Sequence, residues 1–224
     1  MLIVIRFITN LEVKLASFKS KHKCFTYIVV ILLIIFIYLG FYLNDDAKSY
    51  FDGNLMPEIT GMLLELAIVL VIVDRWQEQN RVNQLIIKEK RLREYLIFIL
   101  RHGFKTLPRE LRVGKFYGEE HKENIQYLDK LLDYIVSDGL TTIQIDDMRS
   151  QCDVDLNTFG NLLPVASELT DEHFKAWSRI LYFMGRITKN LGDDEESIKY
   201  IINNIKRYEN ASYTSGIYVG AKNV

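Results

Sequence analysis

Two long apolar runs separated by a short polar loop dominate the first third of the chain. Cys24–Leu43 is 20 residues without one charge. As a helix it would rise about 30 Å, the thickness of a bilayer's hydrocarbon core. Leu55–Val73 is nearly as long and carries two acids, Glu58 and Glu65. The pattern predicts a hairpin of two membrane-spanning helices, because an uncharged run of this length exceeds ordinary core helices. A cleaved signal peptide fits less well. Its apolar core is usually about 7–15 residues, and no small-x-small site follows Leu43. Met1–Thr9 is apolar with one arginine, too short to span, and suited to lie in the inner interface.

Flanking charges orient the hairpin. Residues 1–23 carry Arg6, Lys14, Lys19, Lys21 and Lys23 against Glu12, and the loop 44–54 has Lys48 against Asp45, Asp46 and Asp52. Arg75, Arg81, Lys88, Lys90, Arg91 and Arg93 follow the second run. Positive residues stay on the cytoplasmic side. The expectation is an inner-membrane, multi-pass protein with both termini cytoplasmic and the acidic loop outside. Trp76, beside the Asp74–Arg75 pair, marks the inner edge.

The overall charge of −1 hides an uneven distribution. Residues 75–107 hold eight Lys and Arg against three acids, and residues 108–224 hold fourteen against nineteen. This predicts a basic cytoplasmic N-terminal segment (1–23), a transmembrane hairpin (24–74), a basic helical stalk (75–107), an α-helical cytoplasmic domain (108–210) and a flexible tail (211–224). The stalk's charge follows from membrane topology alone, or serves anionic lipid or nucleic acid. Cys24 and Cys152 imply no disulfide framework, as suits a reducing compartment.

The fold class expected is an all-α membrane protein. Val82, Leu85, Leu92, Leu96 and Ile99 recur at spacings of three and four, with Glu89 at one expected apolar position. That imperfect heptad is either a coiled-coil stalk between copies or the buried face of a helix against its own domain. Tyr95–Leu100, apolar on most sides, favours the second. Glu119–Ser137 reads as a helix with the stripe Ile125, Leu128, Leu131, Leu132, Ile135 and Val136, ended by Gly139. Residues 140–161 are polar and irregular, with short helices around Ile145–Gln151, a turn at Thr141–Asp147, and a break at Pro164. Thr170 caps a helix running to about Leu191 that buries Phe174, Trp177, Ile180, Leu181, Met184 and Ile187. A last helix opens with Asp193–Glu196 and buries Ile198, Ile201, Ile202 and Ile205.

Catalytic and metal-binding patterns are absent from the sequence. The four histidines are scattered, no Cys-x2-Cys or phosphate-binding glycine loop occurs, and Asp193–Glu196 reads as a solvated helix start. No enzyme activity, cofactor or small-molecule substrate is expected. The second apolar run is more telling. Glu58, Gly61, Glu65, Ile68 and Ile72 recur every three or four residues and line one face. Gly61 allows close helix approach. Glu65 lies mid-run, and neither run contains a Lys or Arg to neutralise it. It must be protonated, partnered, or turned toward water. A hydrogen bond to the first helix, self-association, a pore lining and a proton relay all remain open.

The run Glu58-Ile-Thr-Gly-Met-Leu-Leu-Glu65, followed by apolar residues closing on Val73-Asp74-Arg75, resembles the second helix of two-transmembrane effectors from bacterial retron anti-phage systems. The likeness covers about residues 24–95. It implies a membrane-perturbing, pore-forming or depolarising effector that causes abortive infection. It also implies restraint by a reverse transcriptase–RNA/DNA complex contacting the cytoplasmic part. Without the resemblance, the residues equally describe a membrane anchor or scaffold that docks a soluble partner through its helical domain.

Overall fold

The computed structural model describes residues 34, 56–112 and 120–218, and among them there are helices and turns but no strand. The all-α class is therefore observed. The N-terminal segment, the acidic loop and the first apolar run lie outside the described residues, apart from Ile34, which is helical and exposed. The chain divides into two compact units, Met1–Asn80 and Arg81–Val224.

Helix α1 spans Met56–Gly103, so it begins in the first unit and ends in the second. Nothing in this stretch interrupts a helix: Pro57 sits in its first turn, where a missing N–H costs nothing, and the next proline is Pro108. Within the first unit most of its large apolar side chains are exposed, while Ile59, Leu63, Ala67 and Leu70 are half-buried. Within the second unit Leu92, Leu96, Ile99 and Leu100 are fully or almost fully buried, as are Phe104 and Leu107 just beyond the helix. Residues 81–107, read from the sequence as a separate stalk, thus belong to the same compact unit as the helices that follow. The heptad is the buried face of a helix against its own domain.

The remaining elements of the second unit are a 3-10 turn at Arg109–Leu111, then α2 (His121–Asp138), α3 (Thr142–Asn161), a short α4 (Leu163–Ser167), α5 (Asp171–Thr188) and α6 (Asp194–Thr214). Helix α5 is central, packing on α3, α4 and α6, while α2 packs on α6. Helix α2 buries Asn124, Leu128, Leu131 and Ile135 but leaves Val136 exposed. It stops at Gly139, whose φ of 73° suits glycine and whose N–H bonds to the Ile135 carbonyl. Helix α5 buries Trp177, Ile180, Met184 and Ile187, with Phe174 left 41% exposed. It ends at Thr188 instead of Leu191, because the Leu191 N–H turns back to the Arg186 carbonyl. The indole of Trp177 stacks on Phe159 at 4.6 Å and donates to the Phe159 carbonyl. This pins α5 to α3 at the core's centre, where each buried large side chain stabilises by roughly 1.5–3 kcal/mol.

Two sequence expectations are corrected. Residues 142–161 form one 20-residue helix, and Thr141–Asp147 is its start, not a turn. A capping box explains the start: the Gln144 N–H donates to Thr141 Oγ1, and the Thr141 N–H donates to Gln144 Oε1. The helix holds because Gln144, Met148, Cys152 and Phe159 form a sparse buried stripe among acids that face water. The second correction concerns the tail. Helix α6 runs on to Thr214, and residues 215–218 fold back over it: the N–H groups of Ile217 and Tyr218 both reach the Ser212 carbonyl. Gly216, at φ 72°, makes the reversal. Residues 219–224 lie outside the described residues.

Candidate functional site

The polar interruption at Glu89 marks a buried charge cluster. Glu89 and Arg93, one turn apart on α1, are 1% and 0% exposed. Arg93 Nε donates to Glu89 Oε1 at 2.8 Å, its Nη2 reaches the same oxygen, and its Nη1 donates to Glu209 Oε2 of α6. Glu209 is itself 1% exposed. One guanidinium therefore lies between two carboxylates, out of water, with every group paired. Burial opposes its charge, but Glu209 and Glu89 outweigh burial and hold its pKa above the ordinary value.

Further residues close the network. Asn124 of α2 donates to Glu209 Oε1 at 2.9 Å, and His121 Nδ1 lies 3.2 Å from the same oxygen. His121 Nε2 lies 3.1 Å from Asn210 Oδ1, and its ring stacks on Tyr213 at 4.4 Å. On the other side Ser212 Oγ donates to Glu89 Oε1 at 2.8 Å. His173 of α5, fully buried, sits 3.0 Å from Ser212 Oγ through Nε2 and 2.6 Å from Thr170 Oγ1 through Nδ1. One proton arrangement satisfies all of these: the Thr170 hydroxyl donates to Nδ1, Nε2–H donates to Ser212, and Ser212 donates to Glu89. It needs a neutral imidazole. Burial, with the Arg93 charge next, lowers the His173 pKa to about 4 and keeps the ring neutral.

This arrangement resembles a Ser–His pair but cannot act as one. Ser212 and His173 are both 0% exposed, and Ser212's proton is committed to Glu89. Its chemistry is structural: α1, α2, α5 and α6 are tied at one point by groups that tolerate one alignment. Among the described residues no group of His, Cys, Asp and Glu could hold a metal ion. Cys152 is buried, and its thiol is pushed up to about 12 by burial, with Asp155 and Asp194 adding to it.

The residues singled out from the sequence fall into three places. Glu58, Gly61, Glu65, Ile68 and Ile72 share one face of α1 in the first unit, and all are exposed. A Cβ at Gly61 would meet nothing within 4 Å. Glu65 borders an open groove of about 550 Å³ lined by Ile59, Met62, Leu63, Leu66 and Val69. Arg75, Trp76, Arg81 and Arg91 are exposed, and Asp74 and Lys90 half-buried. Lys88 pairs with Glu168. Arg93 departs from the basic group: it is a core residue, not an interfacial one. The signal for it was present in the sequence as Glu89, four residues earlier and out of place in an apolar stripe. Glu209, His121 and Asn124 carried no such signal.

Among the described residues no helix is long and apolar enough to cross a membrane. Gly61–Val73 covers 13 residues, about 20 Å of rise, apolar except for Glu65, and Asp74 and Arg75 end it. No protein-family model, curated protein or solved structure matches the chain.

Proposed function

We propose that this chain is a membrane-perturbing effector of bacterial anti-phage defence. Its cytoplasmic domain is restrained by a partner, a reverse transcriptase–RNA/DNA complex, and its release depolarises the inner membrane and aborts infection. The observation that carries the reading is the exposure of α1. Between Met62 and Val73, eight large apolar side chains around most of the helix are 38–65% exposed, and only the face of Ile59, Leu63, Ala67 and Leu70 is half-buried. A helix apolar all round requires a covering. Soluble monomers leave only roughly 300–600 Å² in one apolar patch. Covering each of these side chains contributes about 1 kcal/mol or more, so on the order of 10 kcal/mol depends on lipid or a second copy. Leu55–Val73 pairs with Cys24–Leu43 as a transmembrane hairpin in this reading, and the Glu58–Gly61–Glu65 face is where copies meet when the membrane is breached.

The test is inner-membrane integrity after induction of the chain alone in bacteria, followed by potential-sensitive dye and propidium. Rapid depolarisation by the wild type, abolished by Glu65→Ala and by Gly61→Leu at equal insertion, supports the proposal. Full activity in both variants would sink the idea that this face builds the lesion. The anchor reading is favoured by one observation, that residues 81–218 pack around their own core. It predicts that an unrelated transmembrane hairpin replaces residues 24–73 without loss of function.

A further inference from the structure

Between the buried charge cluster and solvent lies the chain's own C-terminal turn. Tyr218 is half-buried, and its ring sits 4.8 Å from the guanidinium carbon of Arg93. Its hydroxyl accepts from Asn124 Nδ2 at 3.3 Å, and its ring meets His121 edge-on at 5.8 Å. Ile217, 4% exposed, is the apolar foot of the same turn. The N–H groups of Ser215 and Gly216 bond to the Ala211 and Tyr213 carbonyls, those of Ile217 and Tyr218 to the Ser212 carbonyl, and the reversal depends on Gly216. Beneath this short strap lie two carboxylates and one guanidinium. That grouping is stable only while water is excluded and every hydrogen bond is kept. Tyr218 is the residue through which the strap meets the cluster. Lifting the strap would admit water to Arg93 and weaken the attraction that binds Arg93 of α1 to Glu209 of α6.

We propose that the strap Ser215–Tyr218 is a latch, and that displacing Tyr218 from Arg93 frees the Glu89–Arg93 turn of α1 from α6. The conformational part stands alone, and its link to membrane activity rests on the function proposed above. A ring over a desolvated cation is the contact at stake, so Tyr218→Phe keeps the latch and Tyr218→Ala opens it. Val154→Ala is the control, since Val154 of α3 is 70% exposed and belongs to neither the strap nor the cluster.

Hydrogen exchange on the full chain in nanodiscs reads the opening, and dye-reported depolarisation reads the consequence. Tyr218→Ala should raise exchange about tenfold at residues 86–95 while residues 176–187 stay protected, and should speed depolarisation. Tyr218→Phe and Val154→Ala should match the wild type in both. Unchanged exchange at 86–95, or a uniform rise in every helix, overturns the latch. Faster local exchange with depolarisation unchanged from an active wild type overturns its role in control. If neither wild type nor variants depolarise, the functional reading has failed and exchange alone decides the latch.

Discussion

Replacing Arg93 with methionine tests the charge cluster most directly. The substitution keeps volume and apolar stem but removes a cation that is 0% exposed and bonded to Glu89 and Glu209, each 1% exposed. Two carboxylates would be left buried without a counter-charge. Breaking a buried ion pair by removing one partner costs about 3–5 kcal/mol, most of it desolvation of the orphaned charge. A domain of this size is stable by roughly 7–20 kcal/mol. The melting temperature should therefore fall by about 10 °C or more. Glu209→Gln should cost less, about 1–3 kcal/mol, because Arg93 and Glu89 remain a neutral pair and Asn124 loses only a charged acceptor. The triple replacement of Glu89 and Glu209 by leucine with Arg93 by methionine should recover part of the loss, since no charge is left orphaned, with Asn124 keeping the Tyr218 hydroxyl and Ser212 the Tyr208 carbonyl as acceptors. Near-ultraviolet dichroism follows the transition through Trp177, which is buried, while Trp76 is exposed. A loss below about 1 kcal/mol for Arg93→Met, or a triple variant weaker than the single, would refute the reasoning.

Two further expectations concern buried titratable groups. The folded His173 pKa of about 4 lies below its ordinary value of 6.5, so folding favours the neutral ring. That stability is fully present above pH 6.5 and is lost as the pH falls toward 4, with a slope of up to about 1.4 kcal/mol per unit. In urea titrations His173→Gln should flatten the dependence between those values, and equal slopes would show that His173 is not the group responsible. Cys152, fully buried with its thiol raised to about 12, should resist thiol reagents at pH 8 in a Cys24→Ser background. It should label when the chain unfolds, and stoichiometric labelling of the folded chain within minutes would contradict its burial.

The helices that pack with a dense apolar stripe were legible in the sequence. Helices α5 and α6 announce themselves through Thr170 and Asp193 at their starts and through isoleucines and Trp177 at helical spacing. Gly139 ends α2 because its backbone conformation is costly for any other residue. These are local rules, written within one or two turns. Helix α3 was not legible, because its buried stripe is four side chains among polar neighbours and its start depends on a two-residue hydrogen-bond exchange. The C-terminal turn was not legible either. Its composition reads as mobile, and its order comes from Ile217 and Tyr218 meeting residues far back in the chain.

The same division holds at the charge cluster. The sequence alone placed an acid in an apolar stripe at Glu89 and a basic residue at Arg93. It also determined that Glu65 has no cation near it in either apolar run. Only the tertiary structure brought Glu209 to Arg93 across 116 residues and Asn124 to Glu209 across 85. Local periodicity settles which face of a helix is apolar. It does not settle which charges meet inside, because a buried ion pair is stable only where several distant segments exclude water together.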